Sequence, residues 1–385
     1  MDIPYGRQCI DFDDIEAVAE VLAGPNLTAG AAVAAFEYSL AAAVGARYAV
    51  AVANGTAALH IAALACGLKP GEELITSPLT FAATANCALY CGAAPVFADI
   101  DPQTMLIDIE SIRKKISPRT RIIIPVHYGG EICNMEALSA LAEENGLTII
   151  QDCAHSLGGL VHGKGQGEYC AAQTWSFHPV KTITTGEGGA VTTNSPEIYQ
   201  ILLRLRSHGI TRDSSQFTHQ DLEGYSPPYP TWYYQMVDLG FNYRLTDIQA
   251  ALGLSQLSKL PKFALRRQEI VRRYDTAFAL LPLDVQHSPE WSHPVRHLYT
   301  IRLHKSEMRK NVFDGLRAKG IGVNVHYIPV YLLPYYQNLG YKAGTCPAAE
   351  DAYSRLITLP LHPALSNQQV EFIIDAVSEL VSKRG

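Results

Sequence analysis

The chain has 385 residues, 48% of them hydrophobic, enough for roughly two domains with cores of their own. Its formal net charge of −6 gives no general pull on nucleic acid or on an anionic membrane, so an anionic ligand must be held by a local site. No segment approaches the roughly 20 uninterrupted apolar residues of a membrane span, and the opening Met1 to Gln8 has neither the basic nor the apolar stretch of a secretory signal; a cytoplasmic protein with no nucleic-acid or membrane partner is expected.

A first helix is predicted from about Asp13, where Ile15, Val18, Val21 and Leu22 fall on one face before Gly24-Pro25 stops it. From about residue 48 to residue 195, short apolar runs alternate with helical stretches. The runs are Tyr48 to Val52, Glu73 to Thr76, Pro95 to Ala98, Arg121 to Val126, Leu147 to Ile150 and Gln173 to Phe177, with a further strand-like stretch at Gly189 to Thr193. That rhythm predicts an α/β fold built on a largely parallel sheet covered on both faces. Asp108 to Ile116, with its acidic start and apolar residues at helical spacing, represents the intervening helices.

Thr211 to Trp232, with Ser214-Ser215 and Ser226-Pro-Pro-Tyr-Pro230, reads as a long loop, and loops of that length are functional or disordered. After Leu260-Pro261 the texture changes. A helix from Phe263 to Leu280 leads into mixed signals, including strand-like runs at Leu298 to Arg302 and Gly322 to His326. We therefore expect a large domain over residues 1–258, with an N-terminal arm over 1–30, and a smaller α/β domain over 259–385. The eight cysteines form no CxxC pair and sit in apolar stretches, which predicts buried free thiols rather than disulfides.

Ligands of open α/β sheets sit beyond the carboxyl ends of the strands. Lys181 lies between the apolar run ending at Phe177 and the glycine-rich Gly186-Glu-Gly-Gly189. Desolvation in such a place lowers an amine's pKa and makes it a nucleophile. Asn54-Gly55-Thr56 follows the first run and opens a helix, either as a phosphate cradle or as an ordinary helix cap. Asp152 and His155 follow the fifth run; Asp152 either meets a cation or caps the next helix. Phe81, after the second run, either stacks on a flat ligand or fills the core. A phosphate cradle, a carboxylate, a nucleophilic lysine and an aromatic face together are what pyridoxal phosphate needs.

Other motifs are set aside. Gly158 to Lys164 has the spacing of a phosphate-binding loop, but Gly165 stands where Ser or Thr binds magnesium, and a hairpin turn is expected instead. His293 with His297 lacks a third ligand, and Cys87 with Cys91 reads as packing, so no metal site is expected.

Pro4-Tyr5-Gly-Arg7, Leu27-Thr28-Ala-Gly30, Asn54 to Leu59, Thr80 to Thr84, Asp152 to Ser156, Ser176 to Lys181, Gly186 to Gly189, Arg206 to Gly209 and Gly240 to Asp247 together resemble the DegT/DnrJ/EryC1/StrS sugar aminotransferases. The resemblance runs nearly end to end. It implies the fold type I architecture of pyridoxal-phosphate enzymes and a homodimer with active sites at the subunit interface. It also implies transfer of an amino group from L-glutamate to a nucleotide-linked ketosugar, with pyridoxamine phosphate as the intermediate cofactor form. By this resemblance Lys181 carries the cofactor, Asp152 partners its ring nitrogen and His155 stands beside its phenolic oxygen. Gly55, Thr56 and Ser176 match phosphate-binding positions, Phe81 the stacking aromatic, and Asn242 a residue reaching in from the other subunit. Relatives that dehydrate sugars have histidine in place of Lys181, so amine transfer is implied rather than dehydration.

Phe177 to Gly189, Leu252 to Leu257, His297 to Ile301 and Val325 to Tyr331 most resemble the branch of the family that serves pseudaminic acid biosynthesis. That branch aminates the 4-keto carbon of a UDP-linked 2-acetamido-2,6-dideoxy-4-ketohexose, giving UDP-4-amino-4,6-dideoxy-N-acetyl-β-L-altrosamine. The resemblance places Tyr5, Pro25, Asn26, Leu27, Thr28, Asn54, Ser176, Asn242, Asn324, Val325, His326 and Tyr327 against the nucleotide sugar. The alternatives are the same chemistry on a D-xylo UDP sugar or a TDP- or GDP-linked one, and, more remotely, a regulator that binds pyridoxal phosphate without turnover.

Overall fold

The computed structural model describes residues 2–219 and 227–382. Seven strands form the main sheet: β1 (Tyr48–Val52), β2 (Glu73–Thr76), β3 (Ala94–Phe97), β4 (Thr120–Ile124), β5 (Thr148–Asp152), β6 (Ala172–Ser176) and β7 (Gly189–Thr193). Their order across the sheet is β1-β7-β6-β5-β4-β2-β3. The expected parallel sheet is present with one reversal. β7 runs antiparallel to both its neighbours, with Gly189 opposite Val52 on one side and Ser176 on the other. The start of β7 therefore lies at the same edge as the ends of the other strands.

Helices α1 (Phe12–Ala23), α2 (Ala31–Val44), α3 (Gly55–Ala65), α4 (Ala82–Tyr90), α5 (Ile109–Lys115), α6 (Met135–Asn145), α7 (Pro196–Arg206) and α8 (Asp247–Ser258) accompany this sheet. β4 carries three consecutive Ile and β5 two because both faces are covered; Ile122, Ile123, Ile124 and Ile150 have no exposed surface. α5 starts at its predicted cap, the Asp108 carboxylate accepting from the Ser111 N–H at 2.8 Å.

α1 begins where predicted but is turned about its axis, so that of the predicted face Val18 and Val21 are half-buried while Ile15 and Leu22 are not. Its buried residue is Asp14, which accepts from Ser255 Oγ at 2.7 Å and Gln256 Nε2 at 2.8 Å on α8 and pairs with Lys259. Ile15 and Leu22, on the predicted apolar face, are 58% and 57% exposed. A fully satisfied carboxylate seats the helix, and the Ile15 and Leu22 edge of the predicted stripe points outward.

Beyond α8, α9 (Leu260–Phe278), α10 (Met308–Ala318) and α11 (Asn367–Ser382) pack on an antiparallel sheet of β8 (Leu283–Val285), β9 (Tyr299–Leu303) and β10 (Leu356–Leu359). The N-terminal arm reaches this second core, where Ile3 is fully buried and pairs with Ile321. Among the described residues, the strand-like run Gly322 to His326 forms one bridge, Asn324 to Thr358. The predicted turn at Gly158 to Lys164 is a hairpin: Val161 and Lys164 exchange backbone hydrogen bonds of 2.9 and 2.8 Å, and His162 and Gly163 both have positive φ.

Of the predicted loop Thr211 to Trp232, residues 220–226 lie outside the described residues; the rest contains the short turn Ser214–Gln216. All eight cysteines are free thiols, five of them buried. No described helix is long and apolar enough to cross a membrane.

Candidate active site

A cavity of about 700 Å³ opens at the carboxyl edge of the main sheet. Lys181 reaches it from the loop between β6 and β7. That loop is closed on itself: Phe177 N–H donates to Gly188 O at 2.9 Å, while Phe177 O accepts from Thr185 N–H at 3.0 Å and Thr184 Oγ1 at 3.1 Å. Burial pushes the Lys181 amine down to about 8, against the opposing pull of the Asp152 charge. A lysine with this environment is a nucleophile and a proton carrier near neutral pH.

Asp152 is the last residue of β5 and is 5% exposed. Its carboxylate accepts from Thr84 Oγ1 at 2.7 Å and from the Ala154 N–H at 3.1 Å. Burial still dominates and raises its pKa, opposed first by the Thr84 hydroxyl, then by the Ala154 N–H and Lys181. The ionised form thus wants a further cation in the cavity. The capping alternative fails, because no α-helix follows β5 until α7.

The cap reading of Asn54 holds, and it leaves the cradle geometry open beside it. Its side chain caps α3 by accepting from the Ala57 N–H at 2.8 Å, while Gly55 and Thr56 in the first helical turn line the cavity. Their N–H groups are among those that helix geometry leaves unpaired, at the positive end of the helix dipole. The helix start is pressed onto the sheet edge: a Cβ on Gly55 would lie 2.9 Å from Ser176 Cβ, and one on Gly189 would lie 2.5 Å from the Asn54 carbonyl. The Ser176 side chain borders the same cradle. Phe81 does not fill the core; it is 64% exposed at the start of α4, on the cavity wall.

His155 closes the opposite wall. Its Nε2 lies 3.1 Å from the Tyr327 hydroxyl, and its ring centroid is 4.6 Å from that of His297. Burial, then Lys181, pushes His155 and His297 well below the usual imidazole range, and the same causes bring His326 down to about 4. All three are neutral rings at pH 7. The stretch Asn324 to Tyr327 lines the cavity with Tyr5, and His326 is pinned by Thr358 Oγ1 at 3.0 Å from Nδ1.

The structure thus brings together Lys181, Asp152, His155, Gly55, Thr56, Ser176, Phe81, Asn54, Tyr5, Asn324, Val325, His326 and Tyr327. It does not bring Pro25, Asn26, Leu27, Thr28 or Asn242 into this cavity. Pro25 to Thr28 form an exposed segment in which Thr28 pairs with Thr246 and the Asp247 N–H donates to Leu27 O at 3.0 Å, while the exposed Asn242 pairs with Ser207. Sequence reading missed Thr84 and His297 as site residues. Thr84 carried one signal, its spacing of four from Thr80 on the helix that starts at the site; the two hydroxyls lie 2.7 Å apart.

A buried amine, a buried carboxylate that lacks a full counter-charge, a helix start with free N–H groups and an exposed aromatic face fit pyridoxal 5′-phosphate. Set on this sheet, they define a pyridoxal-phosphate-dependent enzyme of fold type I. The chain matches the DegT/DnrJ/EryC1/StrS aminotransferase family over residues 8–378 and belongs to it: it is a pyridoxal-phosphate-dependent sugar aminotransferase. The spore coat polysaccharide biosynthesis protein SpsC of Bacillus subtilis is 38% identical over 385 residues, covering 98% of this chain and 97% of that protein. Among solved structures, PseC of Helicobacter pylori, an aminotransferase involved in pseudaminic acid biosynthesis, is 33% identical with a TM-score of 0.91, covering 100% of each chain. Spr1654 of Streptococcus pneumoniae in its PLP form is 30% identical with a TM-score of 0.91, covering 100% of this chain and 99% of that one.

Proposed function

We propose that this enzyme moves the amino group of L-glutamate to the 4-keto carbon of a UDP-linked 2-acetamido-2,6-dideoxy-4-ketohexose, the amination step of pseudaminic acid biosynthesis. The observation that carries the reading is the end-to-end likeness to H. pylori PseC. The segment Asn324 to Tyr327, fixed beside Lys181, supports it with polar and aromatic groups suited to a sugar.

When bound, pyridoxal phosphate supplies an electrophilic carbonyl and a protonated ring that takes up an electron pair from the substrate carbon. The chain does the rest. Gly55, Thr56 and Ser176 would hold the phosphate, Phe81 would cover the ring, and Asp152 would keep the ring nitrogen protonated. His155 closes the wall opposite. Lys181, as a neutral amine, takes the proton from the α-carbon of glutamate and returns one to the sugar's C4. Tyr5, Asn54 and residues 324–327 orient the sugar, so that only one face of C4 meets Lys181.

The site is completed in a homodimer, in which Asn242 and Pro25 to Thr28 serve the partner's cavity. The outward Ile15 and Leu22 of α1 and the exposure of Pro25 to Thr28 and of Asn242 favour that assembly. We assign residues 1–258 and 259–385 to two domains, the arm of the first joining the core of the second through Ile3.

The test is amination of UDP-linked 4-ketosugars of the L-arabino and D-xylo series, with products resolved by mass spectrometry and NMR. Amination of the L-arabino sugar alone is expected; preference for the D-xylo sugar would reassign the pathway and keep the chemistry. A Lys181→Ala protein must lose turnover in either case.

A further inference from the structure

Both ring nitrogens of His155 are engaged by the chain itself. The Gly129 N–H donates to Nδ1 at 3.4 Å, so Nδ1 presents its lone pair. The neutral ring then carries its one proton on Nε2, and that N–H donates to the Tyr327 oxygen at 3.1 Å. Tyr327 is therefore the acceptor in this pair, and its own proton is free for another partner. Burial, then the neighbours Tyr128, Asp152 and Tyr5, holds the phenol well above its ordinary value, so it keeps that proton.

The backbone fixes this arrangement. Gly129 sits at φ +67°, and its carbonyl accepts from the His297 N–H at 2.8 Å and the Leu298 N–H at 3.2 Å. One glycine thus sets the positions of both imidazoles. On the Tyr327 side, the Tyr128 hydroxyl donates to the His326 carbonyl, locking the preceding residue.

We propose that the Tyr327 hydroxyl, rather than an edge of His155, donates a hydrogen bond to an electron-rich ligand oxygen in the cavity, and that His155 is a positioning residue acting through it. The acceptor is the phenolic oxygen of the cofactor or the ketone oxygen of the sugar, two oxygens of the same hydrogen-bonding chemistry. The inference rests on the ligand placement given under the proposed function.

The experiment compares wild-type holoenzyme with Tyr327→Phe, His155→Leu and the double variant, with His155→Gln as the conservative control. The visible spectrum is titrated against pH without substrate, and the glutamate and ketosugar half-reactions are then timed separately. Thermal melting checks that each variant is folded. A phenolic acceptor predicts that Tyr327→Phe shifts the pH midpoint of the spectrum; a ketone acceptor predicts an unchanged titration and a ketosugar half-reaction slowed about 10- to 100-fold. In either arm His155→Leu adds little on top of Tyr327→Phe, and His155→Gln, whose amide both accepts and donates, recovers most of the loss. A Tyr327→Phe protein like wild type in both readouts, or full additivity of the two variants, overturns the proposal. The functional reading fails separately, on a wild type that binds no pyridoxal phosphate or aminates no ketosugar.

Discussion

The hydroxyl of Thr84 donates to Asp152 Oδ2 at 2.7 Å, and Thr80 Oγ1 lies 2.7 Å behind it. Thr84 has one proton, and the carboxylate is the stronger acceptor, so Thr80 donates to Thr84 and Thr84 to Asp152. This two-step chain stabilises the ionised carboxylate at a place where burial favours the neutral acid.

Thr84→Val keeps the shape of the side chain and removes that donor. Asp152 then titrates higher still and holds a cationic ring nitrogen less firmly. Hydrogen bonds to charged groups are worth about 1.5–3 kcal/mol, so kcat/KM should fall roughly 10- to 100-fold. Thr80→Val, one step removed, should cost less. Steady-state kinetics of the two variants check the order.

Gly189→Ala tests the contact between the reversed strand and the phosphate cradle. The new Cβ would meet the Asn54 carbonyl at 2.5 Å and Gly55 N at 2.7 Å, both backbone atoms that cannot swing aside. Either the start of α3 moves or the strand does, at a cost of about 1–3 kcal/mol. The expected outcome is weaker binding of pyridoxal phosphate together with a lower melting temperature of the apoenzyme. Unchanged cofactor affinity would place the cradle elsewhere.

The depressed pKa of Lys181 fixes a pH dependence. The amine is reactive only when neutral, and burial moves its titration from 10.5 to about 8. Capture of pyridoxal phosphate by the apoenzyme should therefore quicken about tenfold per pH unit below 8 and level off above it. Stopped-flow rates that keep climbing to pH 10 would mean that Lys181 is solvated.

Much of this site was legible in the sequence, and the exceptions share a cause. β1 and β2 coincide with the predicted runs because each is short, carries an apolar centre and is bounded by turn residues. Lys181, Asp152 and Gly55 stood at strand ends, where open sheets place their chemistry. The reversal of β7 was not legible, since Gly189 to Thr193 reads alike in either direction. Nor was the burial of Asp14 in place of Ile15, because its partners Ser255 and Gln256 lie more than 240 residues away along the chain. The run Gly322 to His326 has the composition of a strand, yet Tyr128 and Thr358 draw it to the cavity wall. Each miss turns on a contact distant in sequence, which local pattern does not encode.

The placement of Asn242 gives the last prediction. It is exposed and pairs with Ser207, outside the cavity that its own chain encloses. If it serves the partner's site, Lys181→Ala and Asn242→Ala damage different halves of one shared active site. In a mixed dimer one cavity takes its lysine from the Asn242→Ala subunit and its asparagine from the Lys181→Ala subunit, and is intact; the other has neither. Random pairing makes about half of all dimers mixed, so roughly a quarter of the sites should be whole. Co-refolding the two variants in equal amounts should therefore recover activity well above the mean of the separate proteins, in a sample that runs as a dimer by light scattering. Activity equal to that mean, in proven mixed dimers, would assign each cavity to one chain and leave Asn242 a surface residue.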